Sequence, residues 1–408
     1  MNSLRNPAWV VVAACALVMF GMWNSYTGFG VFLPVLAQEF GWSRGVISGA
    51  TSLQLLIGGV MAFAIGALSD RFGPRRLLFL SALVSGGAFL LSSAITALWQ
   101  LYLLQGLLLG VGMASSYLVP TTTVSRWFVA RRGLALGILL ACHNLTLITG
   151  PPVSAFLINA FGWRTTYLVL GGLVWCIALP ASAFTRFPNE GERLKSGAQW
   201  SEPGGAGEPR SAARGGVTLR RTLADRRVWF LGGCWLLLGM AWMMIVIHLV
   251  SHVKDQGVAL EVASLALTLF GVGAIVGRIL FGVAADRLGT KSTFFLCSFL
   301  QVAALTWLLA TPSLASVYLL MVGLGMGAAG ADTTVVKAAA EVFGVRSIGA
   351  TVGLLNMGWR CGATLGPAVA GFIYDATRSY TLAFALALAG LVLSSALFRW
   401  GAVSTRPS

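Results

Sequence analysis

Gly66-Ala67-Leu68-Ser69-Asp70-Arg71-Phe72-Gly73 returns 216 positions later as Gly282-Val283-Ala284-Ala285-Asp286-Arg287-Leu288-Gly289. The same offset carries Gly150-Pro151 onto Gly366-Pro367, and Gly137 onto Gly353. One offset that fits three separate places describes a chain written twice. Parallel repeats about an axis along the membrane normal are a known transporter plan.

The residues around the repeat are apolar. Of 408 residues, 57% are hydrophobic and 10% charged, and the mean hydropathy is +0.82. A soluble globular domain carries roughly 25% charged residues, so this chain would lack a polar skin in water. That excludes a soluble enzyme, a secreted disulfide scaffold and a disordered protein. The apolar runs are continuous rather than alternating, which excludes an outer-membrane barrel. A membrane helix needs about 20 apolar residues. The runs predict helices near 8–36, 46–68, 76–96, 99–124, 132–160 and 164–186. A second set is predicted near 228–252, 260–285, 291–310, 314–340, 347–374 and 378–400. The expected fold is an all-α polytopic membrane protein with twelve transmembrane helices in two pseudo-symmetric six-helix bundles. The N-terminal bundle is 1–186, a cytoplasmic basic polar linker is 187–227, and the C-terminal bundle is 228–408. The linker contains Glu202-Pro203-Gly204-Gly205-Ala206-Gly207-Glu208-Pro209, which has nothing with which to form a core.

The net charge of +15 has its meaning in position rather than in sum. With the N-terminus placed in the cytoplasm, only Arg44, Arg164, Lys254 and Arg378 fall on the outer side. Arg278 and Arg360 fall deep inside spans, and the remaining cations cluster on the inner side. This bias is the pattern of cytoplasmic loops. It predicts a multi-pass inner-membrane protein with both termini in the cytoplasm, whose basicity serves topology and not nucleic acid. The run after Arg5 is too long for a signal-peptide core and reads as the first span, retained. Six cysteines lie inside apolar runs with no Cys-x-x-Cys spacing. They read as small apolar packing residues, with no metal site.

Gly66-x-x-x-Asp70-Arg71-x-Gly73-x-Arg75-Arg76 resembles the loop motif of the major facilitator superfamily, and the stretch Gly282–Lys291 is its echo. Within that family, Tyr26-Thr27-Gly28-Phe29-Gly30-Val31-Phe32 and Glu39-Phe40-Gly41-Trp42-Ser43-Arg44 look like the bacterial monocarboxylate and oxalate–formate transporter group. Arg126-Trp127-Phe128 leading to Arg131-Arg132-Gly133 does too. Arg278, in Gly277-Arg278-Ile279-Leu280-Phe281-Gly282, stands where that group places its carboxylate-binding arginine. The chain departs in two places. It has Arg360 where the oxalate–formate exchangers carry a lysine, and it lacks the first-helix lysine of animal monocarboxylate carriers. The resemblance implies a secondary transporter with gating charges at Asp70, Arg71, Arg75, Asp286 and Arg287. Such charges would latch neighbouring helices in the outward-facing state, with local turn charges as the alternative.

The residues point the same way. A charge at the bilayer centre costs about 2.5–3.5 kcal/mol on insertion scales, so Arg278 and Arg360 need a partner or a wet cavity. A guanidinium fork suits a carboxylate through two parallel hydrogen bonds. Asp332 is the one acid deep in a span, and one acid leaves two arginines with net positive charge for a ligand. The alternative is a fixed structural salt bridge. Asp332 is also the candidate proton carrier, because a substrate that takes its arginine favours proton uptake.

Asn24 and Tyr26, Tyr117, His143 and Asn144, and Asn356 fall at similar depth. They are candidate hydrogen-bonding groups for a substrate, or polar contacts between helices. Trp23, Tyr26, Tyr117 and Trp359 would also suit an aromatic acid. His248 and His252 are expected near the outer face, solvated. Gly325-x-Gly327-x-x-Gly330 sits in an apolar helix rather than after a strand, so it is no dinucleotide fingerprint. Cys142 and His143 point about 100° apart on a helix and form no nucleophile–base pair. No Walker motif and no cofactor motif occurs.

The expected function is transport of a small organic carboxylate, by proton symport with alternating access, in a monomer that uses no cofactor and is not an enzyme. Proton-independent carboxylate exchange is the alternative, and efflux of other small molecules the second. Efflux of cations would call for acids rather than arginines at the centre.

Overall fold

The computed structural model describes residues 7–128, 132–189, 192, 225–310, 313–343 and 348–402. The linker, apart from its ends, and Arg5, Arg131, Arg346 and Arg406 lie outside the described residues. Among those described, no strand occurs, and the helices group into twelve rods. In the first half these are α1 (Pro7–Phe40, interrupted at Gly28), α2 (Arg44–Phe72), α3 (Pro74–Ser92), α4 (Leu98–Trp127), α5 (132–161) and α6 (163–182). In the second they are α7 (Arg226–Asp255), α8 (Leu260–Arg287), α9 (Thr290–Ala310), α10 (Leu314–Phe343), α11 (Ile348–Thr377) and α12 (Thr381–Gly401).

The duplication is written in the backbone as well as in the sequence. Left-handed φ values occur at Gly41, Gly73 and Gly162, and again at Gly257, Gly289 and Arg378. Each of the second three lies 216 positions after one of the first. These residues end α1, α2, α5, α7, α8 and α11. A left-handed residue turns the chain out of a helix and suits glycine, which has no Cβ to clash. Gly73 shows the local logic. Its N–H closes α2 on the carbonyl of Ser69 at 2.9 Å, and Pro74 opens α3 where no N–H is needed. The expected helix ends therefore shift by a few residues. The first run continues to Phe40 because Gly41 stops it, and the last starts at Thr381 because Arg378 has already turned.

Glycines also set how closely helices approach. A Cβ on Gly150 would meet Thr27 Oγ1 at 2.1 Å, which seats α5 on α1, and one on Gly366 would meet Met240 O at 2.6 Å, seating α11 on α7. The repeated Gly-Pro thus serves the same junction in both halves. At α8 and α10, a Cβ on Gly277 would meet Met326 O at 2.3 Å and one on Gly325 Phe270 O at 2.0 Å.

Nine described helices are long and apolar enough to cross a membrane, one being α5 and α6 run together. The two others, α2 and α11, carry Ser48, Thr51, Gln54, Asn356, Arg360 and Thr364. They pack against each other between the halves, which takes much of their polar surface out of lipid. α5 meets α8 likewise, where Thr268 Oγ1 donates to the carbonyl of Ile148 at 3.0 Å.

Further hydrogen bonds join the halves at one end of the bundle. Arg44, at the start of α2, grips Asp255 at the end of α7 through two bonds of 2.6 Å. Asp375, in the last turn of α11, accepts the backbone N–H groups of Arg44 and Gly45 at 2.9 and 2.8 Å. Its carboxylate thereby satisfies two orphan donors at the N-terminus of α2, where negative charge is also favoured by the helix dipole. At the opposite end Asp70 pairs with Arg126 and Asp286 with Lys337, each inside its own half.

Arg378 holds its left-handed φ of 56° with a side chain attached, while Gly162 has open space around a would-be Cβ. Arg378→Gly is expected to stabilise the purified protein by about 0.5–1 kcal/mol, and Gly162→Ala to destabilise it by a similar amount. Thermal unfolding in detergent measures both.

Candidate functional site

The close seating of α8 on α10 decides the site. With Gly277 against the backbone of Met326, the next residue, Arg278, reaches Asp332 one and a half turns along α10. Arg278 Nη2 donates to Asp332 Oδ2 at 3.2 Å. Trp235 of α7 donates its indole N–H to Asp332 Oδ1 at 2.9 Å. Both carboxylate oxygens are therefore occupied. Arg278 is not equally satisfied: one terminal nitrogen makes the ion pair, and its buried Nε has no hydrogen-bond partner. The pair lies in a cavity walled by Trp235, Trp242 and Trp359 with Leu238, Gln301 and Ala328.

Arg360 lies on α11, next to Trp359 of that wall. Its side chain runs past Gly59 of α2, where a Cβ would stand 3.5 Å from Arg360 Cδ. A larger residue at 59 would push the guanidinium aside. Among the described residues Arg360 has no acid within ion-pair distance. Asn356, one turn earlier, is half-buried.

The first half faces these charges with aromatic and imidazole groups. Tyr117 sits where α4 loosens: Pro120 has no N–H for the carbonyl of Ser116, and residues 114–117 form a turn between two helical segments. From there Tyr117 lies within electrostatic reach of Arg278, Asp332 and Arg360. Its ring stands 5.5 Å from that of His143, and Trp23 stands edge-on to His143 at 4.5 Å. The Nε2 of His143, the indole nitrogen of Trp23 and the hydroxyl of Tyr26 are buried without hydrogen-bond partners. Asn144 is buried beside His143.

Arg278 and Asp332 thus line one cavity, with Tyr117 within electrostatic reach of both and of Arg360, and His143 beside Tyr117. Asn24 turns elsewhere, and its Oδ1 accepts from Thr149 of α5 at 2.5 Å. Tyr26 is buried against Trp23. Of the loop charges, Asp70 and Asp286 hold partners within their own halves. Arg71 packs its guanidinium near the Phe72 ring, and Arg75 and Arg287 are exposed.

Three things escaped the sequence reading. The first is Trp235, whose N–H on Asp332 has no signature among 14 tryptophans in a membrane chain. The second is the network of Arg44, Asp255, Asp375 and Tyr380, which joins segments more than 200 residues apart. The third is His248, expected to be solvated. It is fully buried, with Nδ1 3.1 Å from the Tyr380 hydroxyl and Nε2 2.8 Å from the carbonyl of Pro367. The ends of α7, α11 and α12 nearest Arg44 close over it. His252, one turn on, is only partly exposed, against the rings of Tyr380 and Phe384.

The two arginines differ in what their loss removes. Arg278→Gln strands Asp332, and is expected to cost about 1–2 kcal/mol, discounted because the pair is partly exposed. Arg360→Gln removes a charge that no acid answers, and is expected to leave the apo protein at least as stable as wild type. Thermal melts of the two purified variants without added anions give the comparison.

A family model described as Major Facilitator Superfamily matches residues 13–263 and 236–408. Monocarboxylate transporter 13 of Rattus norvegicus is 26% identical over 392 residues, covering 95% of this chain and 87% of that protein. Monocarboxylate transporter 11 of Mus musculus is 28% identical over 428 residues, covering 98% and 88%. Among solved structures, a bacterial homologue of the human lysosomal transporter Spinster, in an inward-facing and unoccupied conformation, superposes with a TM-score of 0.76. It shares 15% sequence identity, and the match covers 98% of this chain and 97% of that one.

Proposed function

Because the chain belongs to the major facilitator superfamily, and so is a multi-pass membrane transporter rather than an enzyme, we infer from its site that it carries a small organic carboxylate together with a proton. The observation that carries this reading is a charge deficit. Arg278 and Asp332 share the central cavity, and among the described residues Arg360, which follows Trp359 of its wall, has no acid within ion-pair distance. A carboxylate entering between Arg360 and Arg278 supplies the missing charge and uses the planar fork of either arginine. The monocarboxylate transporters among its relatives, which match over nearly the whole chain, support a cargo of that class.

Asp332 links this anion to a proton. Its charge is held by one hydrogen bond from Arg278 and one from Trp235. A substrate carboxylate that takes Arg278 leaves Asp332 without its cation partner, and a proton taken up with the substrate restores the balance of charge. When the substrate leaves, Arg278 returns and the proton is released. Tyr117 and His143 complete the space from the first half, with Asn144 and Asn356 as further polar groups around it, while Asn24 and Tyr26 stand behind them, bonded to Thr149 and packed on Trp23.

Bundles 1–186 and 228–408, joined by the 187–227 linker, rock about this site so that it opens to one side at a time. The bonded end, at Arg44, Asp255 and Asp375, faces outward, and both termini lie in the cytoplasm of a cell membrane. The loop charges Asp70, Arg71, Arg75, Asp286 and Arg287 exchange partners across the halves when the inner side closes. One chain supplies the whole path and works as a monomer.

Uptake of radiolabelled monocarboxylates into proteoliposomes tests the reading. The Arg278→Gln/Arg360→Gln double variant is expected to lose at least about tenfold of wild-type uptake, since truncating groups that bind a charge directly costs 2–5 kcal/mol. Unchanged uptake would end the proposal. Asp332→Asn is expected to keep carboxylate exchange while losing accumulation driven by a pH gradient. Uptake by wild type that ignores the gradient and requires internal anion would make the protein an exchanger instead.

A further inference from the structure

His248 lies at the centre of a directional chain of hydrogen bonds that ends on the other half of the molecule. Its Nε2 faces the carbonyl of Pro367 at 2.8 Å. A carbonyl only accepts, so Nε2 carries the hydrogen, and in the neutral ring Nδ1 is left with a lone pair. Nδ1 is 3.1 Å from the Tyr380 hydroxyl, so Tyr380 donates to it. The Tyr380 oxygen in turn accepts from Arg44 Nη1 at 3.1 Å. The order is fixed: Arg44 to Tyr380, Tyr380 to His248, His248 to Pro367. Arg44 is the residue by which the first half holds Asp255, and its guanidinium also covers the ring of Tyr374 at 4.0 Å.

We propose that His248 is a proton-binding site that governs the outer closure: the closed end requires a neutral ring, and a proton on Nδ1 releases Arg44. A protonated Nδ1 is a donor. Tyr380 must then turn its hydroxyl hydrogen away and receive the imidazolium and Arg44 together. Two cations converge on one phenol oxygen, in a place where His248 is fully buried.

The surrounding charges are Arg44 from α2, Asp375 from α11, and Lys254, Asp255 and the His252 ring from α7. Asp255 is committed to Arg44 through both oxygens, and Asp375 accepts the N–H groups of Arg44 and Gly45. Both acids are spent on holding the closure, so neither is free to answer a new cation. The relief is for α2 to move away from α7 and α11, letting water reach the ring.

The sign follows. The open state binds the proton and the closed state excludes it, so acid on the outer side shifts the population toward open. This goes beyond the carboxylate site at Arg278 and holds whatever the cargo is. It places a proton sensor at the gate, separate from Asp332 in the cavity.

The test is a distance measurement by pulsed electron resonance. Spin labels are placed at Gln38 and Ala376, both exposed and on opposite halves, in protein whose native cysteines are replaced. In wild type the long-distance, open population is expected to grow as pH falls from about 8 to about 5. The open-to-closed ratio would rise by up to about tenfold per pH unit, as for one bound proton. His248→Gln keeps a donor and an acceptor but cannot titrate, and is expected to flatten the curve. Tyr380→Phe leaves the histidine in place but cuts its link to Arg44, and is expected to flatten it too, so the outcome does not rest on one variant. A wild-type distribution indifferent to pH overturns the proposal, as does a His248→Gln or Tyr380→Phe curve with the wild-type slope.

Discussion

A guanidinium within the thickness of a bilayer has to be answered by an acid, by water or by a ligand, because bare charge is not tolerated at that depth. The fold answers one of its two deep arginines by half and leaves the other. Arg278 has Asp332 on one nitrogen only, and Asp332 is shared with Trp235. Arg360 follows Trp359, a wall residue of that cavity, on a helix packed between the halves. Everything else about the molecule is compatible with a very apolar bundle holding itself together. This charge deficit is the feature that mere stability does not explain, and it gives the central space its chemistry.

The bundle that holds these arginines is assembled by backbone contact more than by side-chain burial. In lipid, helices have no strong hydrophobic drive to associate, and small residues that let backbones touch do much of the work. Gly150, Gly277, Gly325 and Gly366 each stand where a Cβ would overlap a neighbouring backbone or side-chain atom. Those at α8 and α10 also place Arg278 beside Asp332. Packing and site are therefore one arrangement. A polar latch, Arg44 on Asp255 with Asp375 capping α2, holds the halves together at one end, in addition to the Thr268–Ile148 bond of α8 and α5. At the opposite end Asp70 and Asp286 pair within their own halves.

Much of this was legible beforehand because it follows from periodicity and burial. The twelve apolar runs, the 216-residue duplication and the two intramembrane arginines each have a signature that needs no partner to be read. The duplication also shows in where the helices end, since Gly41, Gly73 and Gly162 have left-handed counterparts at Gly257, Gly289 and Arg378. What could not be read depends on pairing in space. Arg44 looked like an ordinary outer-loop cation, yet its partners lie on α7, α11 and α12. His248 looked solvated from its place near a helix end, and is sealed by Tyr380 and Pro367. Asn24 looked available at the right depth, but the hydroxyl of Thr149 had claimed its oxygen. Depth along a helix is encoded in the chain; the direction a side chain faces is set by its neighbours.

The central claim is that positive charge at Arg278 and Arg360 waits for an anion. It is tested most directly by calorimetric titration of the purified protein with a small monocarboxylate and, separately, with the neutral amide of the same shape. The account predicts measurable binding of the carboxylate, little or none of the amide, and an affinity for the carboxylate that falls when both arginines are neutralised. Equal binding of acid and amide, or carboxylate affinity that survives loss of both guanidinium groups, would contradict it.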